Sequence, residues 1–353
     1  MREPDPQKLE AFVGRLVGDA GACATAALIV LGDRLGLFRA MSDGAAVTPA
    51  ELAQKTGMAE RYLREWLSGI AAADYANYDP ASGRFSLTPE QATAFADENS
   101  PAFFAGGFEV IQSMWLDQDK IAEGFKSGKG VGWHEHSACL FRGTERFFRP
   151  GYNAHLIGEW IPALGGMKAR LEAGAHVADV GCGHGASTVL MAEAFPNSRF
   201  HGFDYHAPSI DRAKAAAEAA GVSDRVTFET ASAKSFPARG YDMVAMFDCL
   251  HDMGDPVGAA RHVRETLAPD GVWMLVEPFA HDRLEDNLNP VGRIFYAAST
   301  MVCTPASLSQ EVGLALGAQA GEARLADVAL KAGFSKFRRA TETPFNIVFE
   351  GRP

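Results

Sequence analysis

The sequence predicts an α/β chain, with a doubly wound parallel sheet in the C-terminal half and a smaller helical domain of winged-helix type before it. Three observations support this prediction. Residues 171–350 alternate short apolar segments with helix-like segments. A loop of alternating glycines follows the first apolar segment. Nearer the N-terminus, a helix–turn–helix pattern precedes two strand-like segments around a turn.

Length and composition indicate a globular protein of two or three domains. The chain has 353 residues, of which 47% are apolar. The charged N-terminus is unlike a signal peptide, and Asp33 and Arg34 interrupt the apolar run at 26–38, so no membrane span is expected. Five cysteines without a C-x-x-C pair indicate reduced thiols in a cytoplasm rather than a disulfide framework or a zinc site. The net charge of −11 disfavours nucleic acid as the main partner.

Residues 1–100 are predicted to form the winged-helix domain. Apolar residues recur at helical spacing over 10–45, and the segment 51–70 has the pattern helix, glycine turn, helix. Two strand-like segments within 75–88 predict the wing. Winged helices often read DNA, but residues 50–70 hold three acidic and three basic side chains, so DNA binding is not expected here. A ligand-sensing transcription regulator remains an alternative function.

Residues 101–170 are predicted to be a helical connector rich in aromatic side chains, which form core and dimer interface or an apolar substrate wall. Tyr152 is a candidate for that wall, and His134 in the motif WHEH is a candidate polar contact to substrate. No companion cluster supplies further ligands, so no metal is expected. Arg146 and Arg149 suit either a cofactor carboxylate or structural salt bridges.

The C-terminal domain, residues 171–353, begins with the motif VADVGCGHGAS at 177–187. Glycines allow a close approach of backbone to a ligand, and the helix that follows offers free N–H groups. Formally the motif also fits a dinucleotide fingerprint, which leaves a nicotinamide dehydrogenase as an alternative. Asp179, two positions before the first glycine, would repel a pyrophosphate and attract a cation. S-adenosylmethionine is cationic and has no phosphate, and Asp204 at the next strand end suits the ribose hydroxyls of such an adenosine.

The ordered segments VADVGCGHG, HGFD, VTFETASAKSF, YDMVAMFDCLHD and GVWMLVEP resemble the class I S-adenosylmethionine-dependent methyltransferases. The whole chain resembles the bacterial and plant small-molecule O-methyltransferases with an N-terminal winged helix. That resemblance implies a Rossmann-like seven-stranded sheet with its last strand antiparallel. It also implies S-adenosylmethionine as cofactor and a homodimer. The implied reaction is transfer of a methyl group to a small aromatic or apolar molecule, with oxygen as the favoured acceptor atom.

His251 is the candidate general base, because it follows the fourth strand and titrates near neutral pH. The resembled enzymes carry a His-Asp pair there and a glutamate after the fifth strand, which His251, Asp252 and Glu277 match. Asp252 is adjacent in sequence and is expected to face away from His251. The family's second acid falls at Gln319, a departure that leaves N- and S-methylation open.

The resemblance also implies the cofactor contacts. The glycine loop would line the cofactor, Asp179 would face its methionine end, Asp204 would bind the ribose and Tyr205 would cover it. The predicted loop and adenine contacts are Gly181, Gly183, Gly185, Ser232, Ala233, Phe247 and Asp248. The long segment 281–310 is predicted to be a lid or binding loop, and its Tyr296 is a candidate substrate contact.

Overall fold

The computed structural model describes residues 3–353, which cluster into two compact units. The first comprises the described residues up to Gln112 together with Arg142–Pro150. The second comprises Ser113–Phe141 and Gly151–Pro353. The segment 101–170, predicted as a separate connector, is therefore divided between the two units.

The first unit has a winged-helix arrangement, as predicted. Its elements are α1 (Pro6–Arg34), α2 (Leu37–Ala40), α3 (Pro49–Thr56), α4 (Glu60–Ala72), β1 (Asn77–Asp79), β2 (Arg84–Ser86), α5 (Pro89–Phe95) and most of α6 (Ala105–Leu116). Proline opens α1, α3 and α5, where its missing N–H costs nothing. Thr48 and Thr88 form capping boxes with Glu51 and Gln91. The wing strands β1 and β2 pair antiparallel over the predicted segment.

Helix α1 is longer than the sequence analysis expected. It runs uninterrupted for 29 residues and is long and apolar enough, by length and composition alone, to cross a membrane. Asp33 and Arg34 lie at the end of the helix rather than breaking it, and the expectation that no membrane span is present stays a prediction. Its C-terminal part packs in the winged-helix core, where Ile29 is fully buried and the Trp66 indole donates to the Leu28 carbonyl at 2.9 Å. A core helix of a globular domain passes the same length test.

The second unit is a sheet with helices around it. Its helices are α7 (Gln118–Ser127), α8 (Ala138–His155), α9 (Ile161–Ala163), α10 (Met167–Ala173), α11 (Ala186–Ala194), α12 (Ala207–Ala219), α13 (Pro256–Thr266), α14 (Pro290–Ala298), α15 (Thr304–Leu308) and α16 (Gly321–Lys331). Helix α8 also supplies Arg142–Pro150 to the first unit. The strands of the second unit are β3 (His176–Val180), β4 (Arg199–Asp204), β5 (Val226–Thr230), β6 (Tyr241–Phe247), β7 (Leu267–Pro278), β8 (Lys336–Glu342) and β9 (Asn346–Arg352).

The seven strands lie in the order β5-β4-β3-β6-β7-β9-β8. Strands β3 to β7 are parallel, and β9 pairs antiparallel with both β7 and β8. This confirms the predicted sheet and its terminal antiparallel hairpin. The chain order reverses at β3, with β4 on one side and β6 on the other, and ligands of open α/β sheets bind at the carboxyl ends of strands around such a point.

The central strands are buried on both faces, as a parallel sheet covered by helices requires. One core cluster joins β6, β7 and β9 to α13 and α16, with Trp273, Phe349 and Val244 completely buried. This rigid layer fixes the loops that follow β3, β4 and β6, which carry most of the predicted site residues.

Candidate functional site

The glycine loop after β3 requires glycine at each of its three positions. Gly181, Gly183 and Gly185 all have positive φ, at 76°, 52° and 81°. A Cβ on Gly181 would lie 2.7 Å from the Cys249 sulfur, and one on Gly185 would lie 2.7 Å from the Phe228 ring. The backbone therefore bends sharply at this loop and leads directly into the first turn of α11.

Asp179 lies beneath this loop and is 1% exposed. Its Oδ2 accepts hydrogen bonds from the hydroxyls of Ser187 at 2.7 Å and Thr188 at 2.6 Å, both on α11. Its Oδ1 is buried without a hydrogen-bond partner among the described residues. Burial raises the pKa of Asp179 to about 6. One oxygen thus anchors α11, and the other is a buried acceptor that a cationic group would satisfy.

Asp204 ends β4 and contacts the same loop. Its Oδ2 accepts from the Gly183 N–H at 3.0 Å, and its Oδ1 accepts from the His206 N–H at 2.8 Å. Burial raises the pKa of this carboxyl. Tyr205 is next in sequence and half exposed, and its ring lies edge-on to His134 at 6.3 Å. The structure therefore brings the predicted ribose acid, its covering tyrosine and the predicted substrate contact His134 to one part of the edge.

Ser232 and Ala233, predicted to contact adenine, follow β5 beside this group. The N–H of Ala231 donates to the Asp204 carbonyl at 3.0 Å, which ties the segment to the end of β4. Ser232 is exposed, and its hydroxyl lies 2.8 Å from that of Ser235. Three strand spacings of ~4.8 Å separate β5 from β6, so these residues stand apart from the end of β6.

Asp248, at the end of β6, has its carboxylate fully engaged. Its Oδ2 accepts from the Tyr152 hydroxyl at 3.0 Å, and its Oδ1 accepts from the Asn346 amide at 2.7 Å. The backbone is left-handed at φ 50°, a strained conformation for a residue with a side chain. Burial raises the pKa of Asp248 well above its usual range. Protein groups thus hold this carboxylate, and an adenine contact from the backbone or side chain of Asp248 stays a prediction. Phe247 packs on the Tyr152 ring, with centroids 5.3 Å apart.

His251 and Glu277 meet as predicted. His251 lies in a 3-10 turn, Leu250–Asp252, and is 3% exposed. Its Nδ1 is 2.6 Å from Glu277 Oε2, and Glu277 Oε1 accepts from the Leu250 N–H at 3.0 Å. Glu277 ends β7, the strand next to β6, and adjacent parallel strands place their ends side by side.

Asp252 also approaches His251, with its Oδ1 at 3.1 Å from Nε2. The expectation that Asp252 faces away from His251 is wrong, because the tight 3-10 turn folds the carboxylate back over the ring. Burial lowers the pKa of His251, but the Asp252 and Glu277 carboxylates outweigh burial and raise it well above its ordinary value. Gln319, the departure from the family pattern, donates instead to the carbonyls of Phe279 and Ala318.

The 281–310 segment returns to this cluster. It contains α14, which carries the half-buried Tyr296, and a π-helical turn that ends at Cys303. His251, Asp252 and Cys303 each offer a ligand-type atom, all within 4.8 Å of one another. Burial raises the pKa of the Cys303 thiol to about 12. A nitrogen, an oxygen and a sulfur so placed suit either a hydrogen-bonded cluster or a borderline-soft divalent metal.

Arg146 and Arg149 belong to the first unit and form structural salt bridges. Arg146 binds Asp33 at 2.7 Å and Glu109 at 3.1 Å, and both arginines bind Glu98. The sequence allowed either a cofactor carboxylate or structural salt bridges for these arginines, and the structure shows salt bridges.

One pair was missed by the sequence analysis. His136, two residues after His134, is buried, and its Nδ1 lies 3.1 Å from Asp117 Oδ2. Asp117 also accepts from the backbone N–H and the hydroxyl of Ser137, both at 2.8 Å. The motif WHEH was visible, but its partner lies 19 residues earlier in the chain and nothing in the spacing pointed to it.

Comparisons with known proteins match both parts of the chain. Residues 171–319 match a family described as "Methyltransferase domain", and residues 23–96 match one described as "Rv2258c-like winged HTH domain". The chain is similar to 27-O-demethylrifamycin SV methyltransferase of Amycolatopsis mediterranei, with 31% identity over 141 residues. That match covers 39% of this chain and 46% of the relative, so the chain spans less than half the length of that curated relative.

Solved structures are similar over nearly the whole chain. An O-methyltransferase family protein from Burkholderia thailandensis has 18% identity and a TM-score of 0.70, covering 96% of this chain and 98% of its own. Human N-acetylserotonin methyltransferase, in complex with S-adenosylmethionine, has 15% identity and a TM-score of 0.66, covering 100% of this chain and 99% of its own. At these identities the likeness is one of fold.

Proposed function

We propose that the chain transfers a methyl group from S-adenosylmethionine to an oxygen atom of a small molecule. The match of residues 171–319 to a methyltransferase domain and of residues 23–96 to a winged helix-turn-helix domain supports this proposal. The observation that carries the proposal is the buried Asp179, whose unpartnered Oδ1 lies beneath a loop of three positive-φ glycines. A buried carboxylate with a free oxygen favours a cationic ligand over a diphosphate. The name of the rifamycin relative, an O-demethylrifamycin methyltransferase, supports oxygen as the acceptor atom.

The residues around the loop fit this cofactor. Asp179 would attract the positive methionine end, Asp204 would hold the ribose hydroxyls beside Tyr205, and the Ser232–Ala233 segment would meet adenine. When bound, the cofactor supplies a methyl group on a sulfonium, ready for displacement by a nucleophile. The protein's contribution is to align that nucleophile and to take its proton.

His251 is the proposed general base. Glu277 fixes the ring through Nδ1, and Nε2, which Asp252 Oδ1 approaches at 3.1 Å, is the atom proposed to take a proton from the acceptor hydroxyl. The flanking Asp252 and Glu277 carboxylates stabilise the imidazolium that results. The same carboxylates favour the protonated ring at rest, so turnover is expected to rise with pH as His251 becomes neutral.

The acceptor is proposed to be aromatic or apolar. Within the second unit, Trp133 and Phe141 meet edge to face at 5.5 Å, and Phe141 stacks on His206 at 4.9 Å. His206 is the residue after Tyr205, so this aromatic group adjoins the proposed ribose site. A flat apolar molecule would gain both burial and ring contacts beside it.

A homodimer is proposed through α1. Five apolar side chains at helical spacing are 46–69% exposed there: Leu9, Phe12, Val13, Leu16 and Val17. A continuous exposed apolar stripe favours a protein partner. Light scattering should give a dimer for the wild type and a monomer for the double variant Phe12→Glu, Leu16→Glu. A monomeric wild type, or one that binds lipid vesicles through α1, would contradict the dimer.

Nucleic acid, membranes and export are not expected to be part of the function. On α4, Arg61 pairs with Glu65 and Arg64 with Glu60, which leaves little free positive charge for DNA phosphates. Cys23, Cys182, Cys249 and Cys303 are free thiols, which favours a reducing compartment such as the cytoplasm. A gel shift with genomic fragments checks the first point, and specific retardation would favour a regulator instead.

Calorimetry with S-adenosylhomocysteine tests the cofactor proposal. The wild type is expected to bind it, and Asp179→Asn is expected to bind it at least about tenfold more weakly, since the buried charge is lost. Asp327→Asn, at an exposed position on α16, is the matched control. Folded wild-type protein that binds NADH and not S-adenosylhomocysteine would overturn the proposal.

A further inference from the structure

Besides His251, the second unit contains a buried histidine, His136, with one ring nitrogen that has no hydrogen-bond partner among the described residues. The His136 side chain is 1% exposed, and its Nδ1 lies 3.1 Å from Asp117. Its Nε2 is buried without a hydrogen-bond partner among residues 3–353. Buried polar atoms of this kind are rare in native proteins and call for an explanation.

The surroundings of Asp117 determine which His136 nitrogen carries the proton. Asp117 accepts from the Ser137 N–H, the Ser137 hydroxyl and Lys120, the last at 2.8 Å. Burial raises the pKa of Asp117, but these hydrogen bonds outweigh it and lower the pKa to about 2, so the carboxylate is charged. A charged Asp117 can only accept, and His136 therefore donates from Nδ1. Burial lowers the pKa of His136 and keeps the ring neutral. Its Nε2 is then a lone-pair acceptor.

The segment that carries His136 runs along the edge where the site residues gather. At one end, the Val131 N–H donates to the Pro305 carbonyl at 3.0 Å, two residues beyond Cys303. In its middle, the His134 ring meets Tyr205. His136 thus lies two residues from His134, which meets Tyr205 beside the proposed ribose site, and five residues from Val131, which is bonded to the segment that carries Cys303.

We propose that His136 binds the methyl acceptor, with its buried Nε2 accepting a hydrogen bond from a hydroxyl group of that molecule. The inference rests on the proposed function and narrows its substrate class. The hydroxyl that is methylated gives its proton to His251, so the acceptor must present a second hydrogen-bond donor to Nε2. It is therefore an uncharged molecule with two hydroxyl groups, such as a diphenol. A carboxylate in the place of that second hydroxyl has only acceptor atoms and would leave Nε2 unsatisfied. A buried polar atom that requires a hydrogen-bond donor discriminates strongly between a substrate that has the donor and an analogue that lacks it.

The test uses matched aromatic pairs that keep the hydroxyl to be methylated and differ only in the second group, a hydroxyl or a carboxylate. The hydroxyl and carboxylate members are catechol with salicylate, and 2,3-dihydroxynaphthalene with 3-hydroxy-2-naphthoate. Binding is measured by calorimetry on the full chain saturated with S-adenosylhomocysteine, and turnover by homocysteine release. The hydroxyl members are expected to bind and react, and the carboxylates are not. His136→Phe, which keeps a ring but has no acceptor, is expected to raise the KM for the hydroxyl members about tenfold with kcat little changed. His136→Gln supplies a carbonyl oxygen and is expected to recover most of that loss.

Two controls separate the inference from folding and from the proposed function. His176→Phe replaces an exposed histidine at the start of β3 and is expected to behave as wild type. Thermal unfolding of every variant shows that it folds. If S-adenosylhomocysteine itself does not bind, the proposed function fails; if it binds while the carboxylates are preferred, or while His136→Phe leaves the hydroxyl members unaffected, only the inference fails.

Nitrogen-15 NMR of histidine-labelled protein decides the point without turnover. The spectrum is expected to show His136 protonated at Nδ1 alone near neutral pH, with its Nε2 resonance moving when 2,3-dihydroxynaphthalene is added with S-adenosylhomocysteine. A proton on Nε2, or a resonance that no hydroxyl compound moves, overturns the proposal. Zinc retained by wild type but lost from both His136→Phe and Cys303→Ser would also overturn it, because Nε2 would then be a metal ligand.

Discussion

Substituting Asp252 by asparagine should lower the pKa of His251 and so move the acid limit of the reaction. The Asp252 Oδ1 lies 3.1 Å from His251 Nε2. Two unit charges about 3.1 Å apart attract by about 1.3 kcal/mol at a dielectric constant of about 80 and by about 5 kcal/mol at about 20. These values correspond to about one and about four pKa units. The Asp252 side chain is 20% exposed and its field is partly screened, so we expect a shift of about one to two units.

The sign follows from the charge of the group that titrates. His251 has a raised pKa in the folded protein, and only its neutral form accepts a proton. Removing the Asp252 charge destabilises the protonated imidazolium of His251, so His251 becomes neutral at lower pH. The acid limb of the kcat/KM profile, which reports the free enzyme, should move to lower pH by the same one to two units. Glu277 still faces Nδ1 in the variant and still favours the protonated ring, so part of the stabilisation of the imidazolium remains.

NMR titration of histidine-labelled protein measures the His251 pKa directly, and a pH series of homocysteine release measures its effect on turnover. Asp327→Asn, exposed on α16, is the control and should leave both unchanged. An unchanged or raised His251 pKa in Asp252→Asn would refute the electrostatic reasoning. A lowered pKa with an unmoved activity profile would remove His251 from the reaction.

Three further predictions concern the loop and its neighbours. Because the pKa of Asp179 is raised to about 6, its charged form is lost below that pH, and calorimetry should find S-adenosylmethionine bound about tenfold more weakly at about pH 5 than at about pH 7. Gly185→Ala places a Cβ 2.7 Å from the Phe228 ring at φ 81°, and chemical denaturation should show a loss of about 1–3 kcal/mol. Tyr152→Phe removes a hydroxyl that donates to the buried Asp248, and should cost about 1–3 kcal/mol in the same assay.

Each of these predictions has a matched control. Asp179→Asn should show no pH dependence of binding over the same range, and an equal dependence would assign it to another group. Gly151→Ala, in a helix with nothing within 4 Å of the added Cβ, should not destabilise. Tyr62→Phe, on a ring that is 82% exposed, should be neutral. If Gly151→Ala lost as much stability as Gly185→Ala, or Tyr62→Phe as much as Tyr152→Phe, the local contacts would not explain the effect.

The parts of the fold that depend on local pattern could be predicted from the sequence. The strand before the glycine loop was predicted at 176–180 and is His176–Val180, and the strand at 199–204 is Arg199–Asp204. Runs of buried apolar residues and turn residues determine such elements within a few positions. The His251–Glu277 contact also followed, because the resembled enzymes place a glutamate from the end of the fifth strand beside this histidine.

Contacts that depend on side-chain direction could not be predicted. The contact between Asp252 and His251 depends on a 3-10 turn rather than an α-helix, and sequence spacing does not distinguish the two. Asp248 is occupied by Tyr152 and Asn346, which lie 96 and 98 residues away. No local pattern encodes pairings at that separation.

The most direct measurement of the central claim follows the methyl group itself. The wild type is incubated with S-adenosylmethionine carrying a trideuteromethyl group and the hydroxylated aromatic panel, and the products are analysed by mass spectrometry and NMR. We predict that the label appears on a hydroxyl oxygen, and that His251→Ala binds S-adenosylhomocysteine normally but forms little product. Protein that binds the cofactor tightly yet labels carbon, or labels oxygen equally well without His251, would contradict the account.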